Sequence, residues 1–207
     1  MALVKYNNNS LSAITSAAAI PAGAMTLIKS QTASSSSTIS FVHGTSDVVL
    51  DSTYPIYLFK FININPSADE AQFLCNGSID AGSNYNVTKT TTSFRSYHQE
   101  DDSSQGVDYV AGEDLAQSTS AWKLAYAVGN AADESNCGEL WLFSPSSTTY
   151  IKHFMSAGQS TMRSDYTTQV YTGGYFNTTS AIDAIQFKMN SGNMDAGTFK
   201  LYGIKDS

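Results

Sequence analysis

Alternation is the feature that most narrows what this chain can fold into. In "YPIYLFKFINI", residues 54–64, Tyr57, Phe59 and Phe61 fall on one side of an extended chain, while Ile56, Leu58, Ile62 and Ile64 share the other with Lys60. Successive side chains of a strand point to opposite faces. Two largely apolar faces therefore predict a central strand covered on both sides, by an opposing sheet and by a loop or a neighbouring subunit. Pro66 should end this strand, because it brings no ladder donor. The same period recurs in "TISFV" (38–42), "AQFLC" (71–75), "NVTKTTTSFRSYH" (86–98), "GELWLF" (138–143), "TTYIKHFMS" (148–156), "TQVYTGGYF" (168–176), "AIDAIQFKM" (181–189) and "GTFKLYGI" (197–204), with turn-forming residues between them. Only residues 113–128 could hold a short helix, and a strand at 122–128 fits that stretch better. The expectation is an all-β protein: a two-sheet antiparallel β-sandwich, jelly-roll-like, with an extended N-terminal arm.

The arm is residues 1–37, and the sandwich domain is 38–207. "TASSSS" (32–37) has the composition of a flexible spacer. The apolar stretch at 24–28 is expected to pair as an edge strand on a neighbouring subunit, which makes the whole segment an attachment element. The Ala-rich patch near the start follows a lone Lys5, but Asn, Ser and Thr interrupt it. Without a sustained apolar core it does not read as a secretory leader. No run of roughly 20 apolar residues, the length needed to cross a bilayer, is present.

Charge excludes further classes. Eleven Lys and Arg against eighteen Asp and Glu give a net charge of -7, which argues against a protein that tracks nucleic-acid phosphates or inserts at an anionic membrane. Charged residues are only 14% of the chain, against about 25% in an average soluble protein. Ser, Thr, Asn, Gly and Tyr must supply the wetted surface.

Reactive chemistry is hard to find. "CGELWLFSPSSTTYIKHFMS" (137–156) reads as two strands joined through a turn at Pro145, with His153 as a structural residue on a strand face. His43 and His98 stand in other segments, and no nucleophile elbow, zinc motif or phosphate cradle occurs. Cys75 and Cys137 lack partners at metal-binding spacing and are expected to be two free thiols. Glu100, Asp101 and Asp102, then Glu113 and Asp114, cluster in what reads as solvated polar loop. Asn8, Asn76, Asn86 and Asn177 open N-x-[ST] triplets in a chain rich in those residues, so they carry little weight. Tyr85, Tyr97 and Tyr109 are loop aromatics suited either to stacking on sugars or to contacts between subunits. No catalytic residue, metal ligand or cofactor site is assigned, and the binding residues stay open.

Several strings are familiar together: "YPIYLFKFINI", then "NPSADEAQFLCNGSIDAGSNYNVTKTTTSFRSYHQ", then "ELWLFSPSSTTYIKHF", and most specifically "AIDAIQFKMNSGNMDAGTFKLYGI". As a set, over about 54–204, the chain resembles virion structural proteins of marine bacteriophages. No site residues come with the resemblance. It implies a protein assembled in the host cytoplasm and carried on the virion, as a tail-fibre or receptor-binding module or as a capsid decoration protein. It also implies a homotrimer whose partners are other virion proteins and a host surface glycan, and no enzymatic step. The alternatives are a carbohydrate-binding module and, behind it, a glycan depolymerase that would use Asp101 or Asp102.

Overall fold

A computed structural model describes residues 24–205. Alternation does dominate them, as strands β1 (Met25–Ser36), β2 (Ile39–Val42), β3 (Ile56–Pro66), β4 (Ala71–Ser78), β5 (Lys89–Gln99), β6 (Gln105–Tyr109), β7 (Trp122–Val128), β8 (Asn136–Phe143), β9 (Lys152–Met162), β10 (Tyr166–Phe176), β11 (Ala184–Met189) and β12 (Met194–Ile204). The one helical element among the described residues is a single 3-10 turn at Ala111–Glu113. The protein is all-β, and every pairing between strands is antiparallel.

The pairing is nested: β1 lies beside β12, β2 beside β11, β3 beside β8 and β4 beside β7. The β3–β12 and β4–β11 ladders join these pairs into the runs β1-β12-β3-β8 and β7-β4-β11-β2. Two hairpin pairs are inserted, β5–β6 between β4 and β7 and β9–β10 between β8 and β11. They extend the first run into a long ladder, β1-β12-β3-β8-β9-β10-β5-β6. A single bridge, Val128 to Met162, ties the short ladder to it.

The core lies where the two runs face each other. Phe187 on β11 meets Phe41 and Phe73 of the short ladder and Phe59, Phe61 and Phe199 of the long one, at centroid distances of 5.2–6.3 Å. A second cluster forms toward β9 and β10, where Trp122 stacks on Phe154 at 4.3 Å and meets Phe176 edge-on. Burying an aromatic ring contributes about 1.5–3 kcal/mol, so these rings hold the two runs together.

Two expectations need correction. Residues 25–36 are not a free arm: β1 pairs with β12 of its own chain from Met25↔Ile204 to Ser36↔Met194. Ser and Thr suit a half-exposed edge strand, and Gln31 Nε2 ties it to Ser40 O at 2.9 Å. The expected arm residues before 24 lie outside the described residues. Ile64 joins the Phe61 face, because the register slips between Phe61 and Ile64 and Asn63 turns left-handed at φ 54°. The extra residue inverts the alternation. Opposite it, Gly197 sits at φ 138°, and a Cβ there would meet Ile64 Cδ1 at 2.5 Å. Pro66 ends β3 from inside, opposite Met194.

Lys89 and Lys152 are fully buried on either side of Phe176. Their ammonium groups donate to Ser120 O (2.7 Å) and Thr178 O (3.2 Å). Burial lowers both pKa values, that of Lys89 to about 8.

Candidate functional site

The long ladder has one face against the core and one face outward, and its register shows what the outward face carries. One row crosses it as Leu27, Tyr202, Leu58, Trp141 and Met155. The neighbouring row runs Ser30, Lys200, Lys60, Glu139, Ala157, Tyr171, Phe94 and Tyr109. Taken diagonally, an apolar band passes from Leu27 on β1 to Met155 on β9, then through Tyr171 and Phe94 to Tyr109 on β6. Gly173, opposite Met155, leaves a gap in it, and a Cβ there would touch nothing within 4 Å.

The part of the band on β9, β10, β5 and β6 is open, whereas Leu58 is buried and Tyr202 and Trp141 are half-buried. Met155 is 59% exposed and Tyr109 65%, and Val107, one row on, reaches 73%. Phe94 and Tyr171 stack at 5.0 Å with 18° between their planes, so the band presents a rigid pair of rings. Exposed apolar patches of this extent mark contact surfaces. Beside the band lies a shallow groove of about 450 Å³, lined by Lys60, Ile62, Cys137, Glu139, Ala157, Gln159 and Gln169. Lys60 pairs with Glu139 at 3.6 Å, and Glu139 Oε1 accepts from Trp141 Nε1 at 2.9 Å. The polar groups are locked to one another and frame the band.

The residues singled out by sequence scatter over the molecule. Tyr109 closes β6 on the outward band, where its hydroxyl donates to Asp114. Tyr97 lies on β5 with its side chain on the opposite face. Both belong to strands, not to loops. Tyr85 lies in the loop between β4 and β5, with its hydroxyl beside Gly82. His153 is exposed beside Tyr175, His43 Nδ1 accepts from Leu50 N at 3.1 Å, and His98 Nε2 lies 3.0 Å from Asp102 Oδ1. Among the described residues no group of three or more His, Cys, Asp or Glu is placed to hold a metal.

Glu100, Asp101 and Asp102 form the exposed turn between β5 and β6. Hydrogen bonds from Ser103 hold the Asp101 carboxyl below its ordinary pKa. Glu113 is not in solvated loop as expected; its carboxylate is largely buried and paired with Lys123. Cys75 and Cys137 are both free. Cys75 is sealed in the core, where burial pushes its thiol well up, whereas Cys137 bonds Asn63 from the outward face. Asn76 is buried, with its amide donating to Tyr85 O and Thr119 O. It therefore cannot receive a glycan in the folded chain.

The band itself was invisible to sequence reasoning, because it depends on strand order. Its local trace is the run of large residues out of phase with the core, such as Trp141, Met155 and Tyr171. Comparison of the whole chain with protein-family models, with curated proteins and with solved structures finds no match in any of the three.

Proposed function

We propose that this protein is a bacteriophage virion structural protein that works by non-covalent attachment, as a tail-fibre or receptor-binding module or as a capsid decoration protein. It is a homotrimer whose subunits meet their neighbours through the outward band of the long ladder. The observation that carries this reading is the band, which runs from β1 to β6 and leaves Met155, Phe94, Tyr171 and Tyr109 open to solvent. A monomer with no partner has no use for so much exposed apolar surface, and burying it between subunits removes the cost.

The nested strand order supports a finer reading of the fold, a two-sheet jelly-roll-like sandwich with β5–β6 and β9–β10 as insertions. The pairing β1–β12, β2–β11, β3–β8 and β4–β7 is that of one long antiparallel ribbon curled over on itself. Jelly rolls serve as viral capsid and lectin domains among others, which agrees with the virion role by analogy alone. The resemblance over 54–204 points the same way.

The test is immunogold electron microscopy of marine phage particles, with antibody raised against the full chain. Labelling at a defined place on the virion, with threefold clustering, is the expected result. Antibody that marks host membranes or free protein and never particles overturns the virion assignment.

A further inference from the structure

The long ladder extends past the short one, and the overhang leaves a second open place on its inner side. β7 crosses the inner side of β9 and β10, where Thr172 Oγ1 donates to Lys123 O, and stops at Val128↔Met162, so that β5 and β6 extend beyond it. The segment after β6 roofs one end, where Leu115 N donates to Thr91 Oγ1 and Thr91 N to Leu115 O. The other end is a cleft of about 370 Å³ lined by Arg95, Tyr97, Ser104, Tyr126, Tyr166 and Thr168, among others. That volume falls in the range of small-ligand sites.

We propose that this cleft binds a sugar ring that carries a carboxylate. Three half-buried tyrosines offer flat apolar faces with hydroxyl tips, which suit the C–H face and the hydroxyls of a pyranose. Arg95 is the only charged residue in the lining. Its guanidinium lies 4.8 Å from the Tyr126 ring centre and 5.5 Å from that of Tyr97, so two rings fix its plane. Its one ionic contact, Nη2 to Asp108 Oδ2, is 3.4 Å, longer than the 2.7–2.9 Å of a strong charge-assisted bond. Its Nε is sealed from solvent without a hydrogen-bond partner, so the donors open to the cleft are those of the outer Nη edge.

The side chain keeps 24% exposure, enough for its outer edge to face the cleft. A planar cation held in place with donors left over matches a carboxylate, which accepts two parallel bonds from such a fork. Lys123, 5.8 Å from the Tyr126 ring, is paired with Glu113, which leaves Arg95 as the one charge in the lining, and in a protein of net charge -7 that matches a monoanion. It does not match a phosphate dianion or a nucleic acid. The site gives a ligand class to the host-glycan partner expected from the resemblance. It stands on the inner face, so its failure leaves the outward band untouched.

The experiment is an NMR titration of the full chain with a matched pair of probes, methyl glucuronide and methyl glucoside, which differ only at the carboxylate. Glucuronide should perturb the amides of Tyr97, Tyr126 and Tyr166 and bind about tenfold or more tighter than glucoside, the worth of a charge-assisted hydrogen bond. Arg95→Gln should bring the two sugars to equal affinity, with the amide spectrum elsewhere unchanged. Tyr166→Ala, at the rim, should weaken both sugars alike and serves if the Arg95 variant folds poorly. Equal binding of both sugars by the wild type, shifts confined to residues away from the cleft, or no binding of either sugar each overturns the proposal.

Discussion

A single inward-facing row of the long ladder runs Leu201, Phe59, Leu140, Ser156, Thr172, Ser93. Over the nested half of the molecule, where another ladder lies opposite, it is apolar. At β9 it turns to hydroxyls. The adjacent outward row changes in the reverse sense, from Lys200, Lys60 and Glu139 to Tyr171, Phe94 and Tyr109. All six inward residues are buried, so burial alone does not explain the switch. What differs is the partner. A facing ladder supplies apolar atoms, whereas the overhang is met by the edge strand β7 and a loop whose backbone groups need bonds. Thus Ser93 Oγ lies 3.0 Å from Thr172 Oγ1, which donates to Lys123 O at 3.4 Å. The nested half is closed by packed rings, and the overhang by hydroxyls bonded to backbone.

Substitutions should separate the two halves by magnitude. Phe187→Ala, at the centre of five ring contacts, should cost about 3–5 kcal/mol in urea unfolding; a loss under about 1 kcal/mol would mean that the two ladders are not joined there. Thr172→Val, in the overhang, should cost about 1–2 kcal/mol, because it takes the hydroxyl donor from Lys123 O and leaves Ser93 Oγ only its bond to Tyr171 O. A neutral or stabilising result would show that the hydroxyl row is not a bonded network.

The buried lysine between the halves gives a pH signature. Burial holds Lys89 at about 8 in the folded chain against 10.5 as its ordinary value. Between those values the unfolded chain binds the extra proton, so the Lys89 contribution to stability rises as pH rises from 8 to 10.5. Cys75 opposes it, since its buried thiol stays protonated while the unfolded one ionises. Comparison with Lys89→Met isolates the lysine. Wild type should gain on the variant across that window by on the order of a few degrees in Tm, and a pH-independent difference would refute a proton-linked Lys89. The smallest effect belongs to the outward band, where Tyr171→Asp should change monomer stability by under about 0.5 kcal/mol; a larger loss would make the rings part of the fold's own packing.

Much of the nested half was legible from alternation. Tyr57, Phe59 and Phe61 face the core as their period predicts, and so do Leu140 and Leu142. The errors have local causes. β1 and β6 are held by ladders to β12 and β5 more than by buried side chains, so "TASSSS" and "QGVDY" leave little hydrophobic signal. Ile64 was misplaced because a bulge changes phase without changing composition. Lys152 sits in phase with Phe154, yet nothing local says that its ammonium will find Thr178 O. The overhang was hidden because it unites hairpins drawn from two distant insertions. Tyr97 and Tyr109 were noticed, but not their opposite faces, and Arg95 was passed over among Ser and Thr.

The central claim is that the outward band is a contact surface between subunits, and light scattering of the full chain across concentration tests it most directly. The account predicts a particle of three times 22.2 kDa that falls to the single-chain mass when Met155 and Tyr171 are both changed to Asp, with Tm of the dissociated chain nearly unchanged. A wild type that stays at 22.2 kDa at every concentration, or a trimer indifferent to both substitutions, would contradict it.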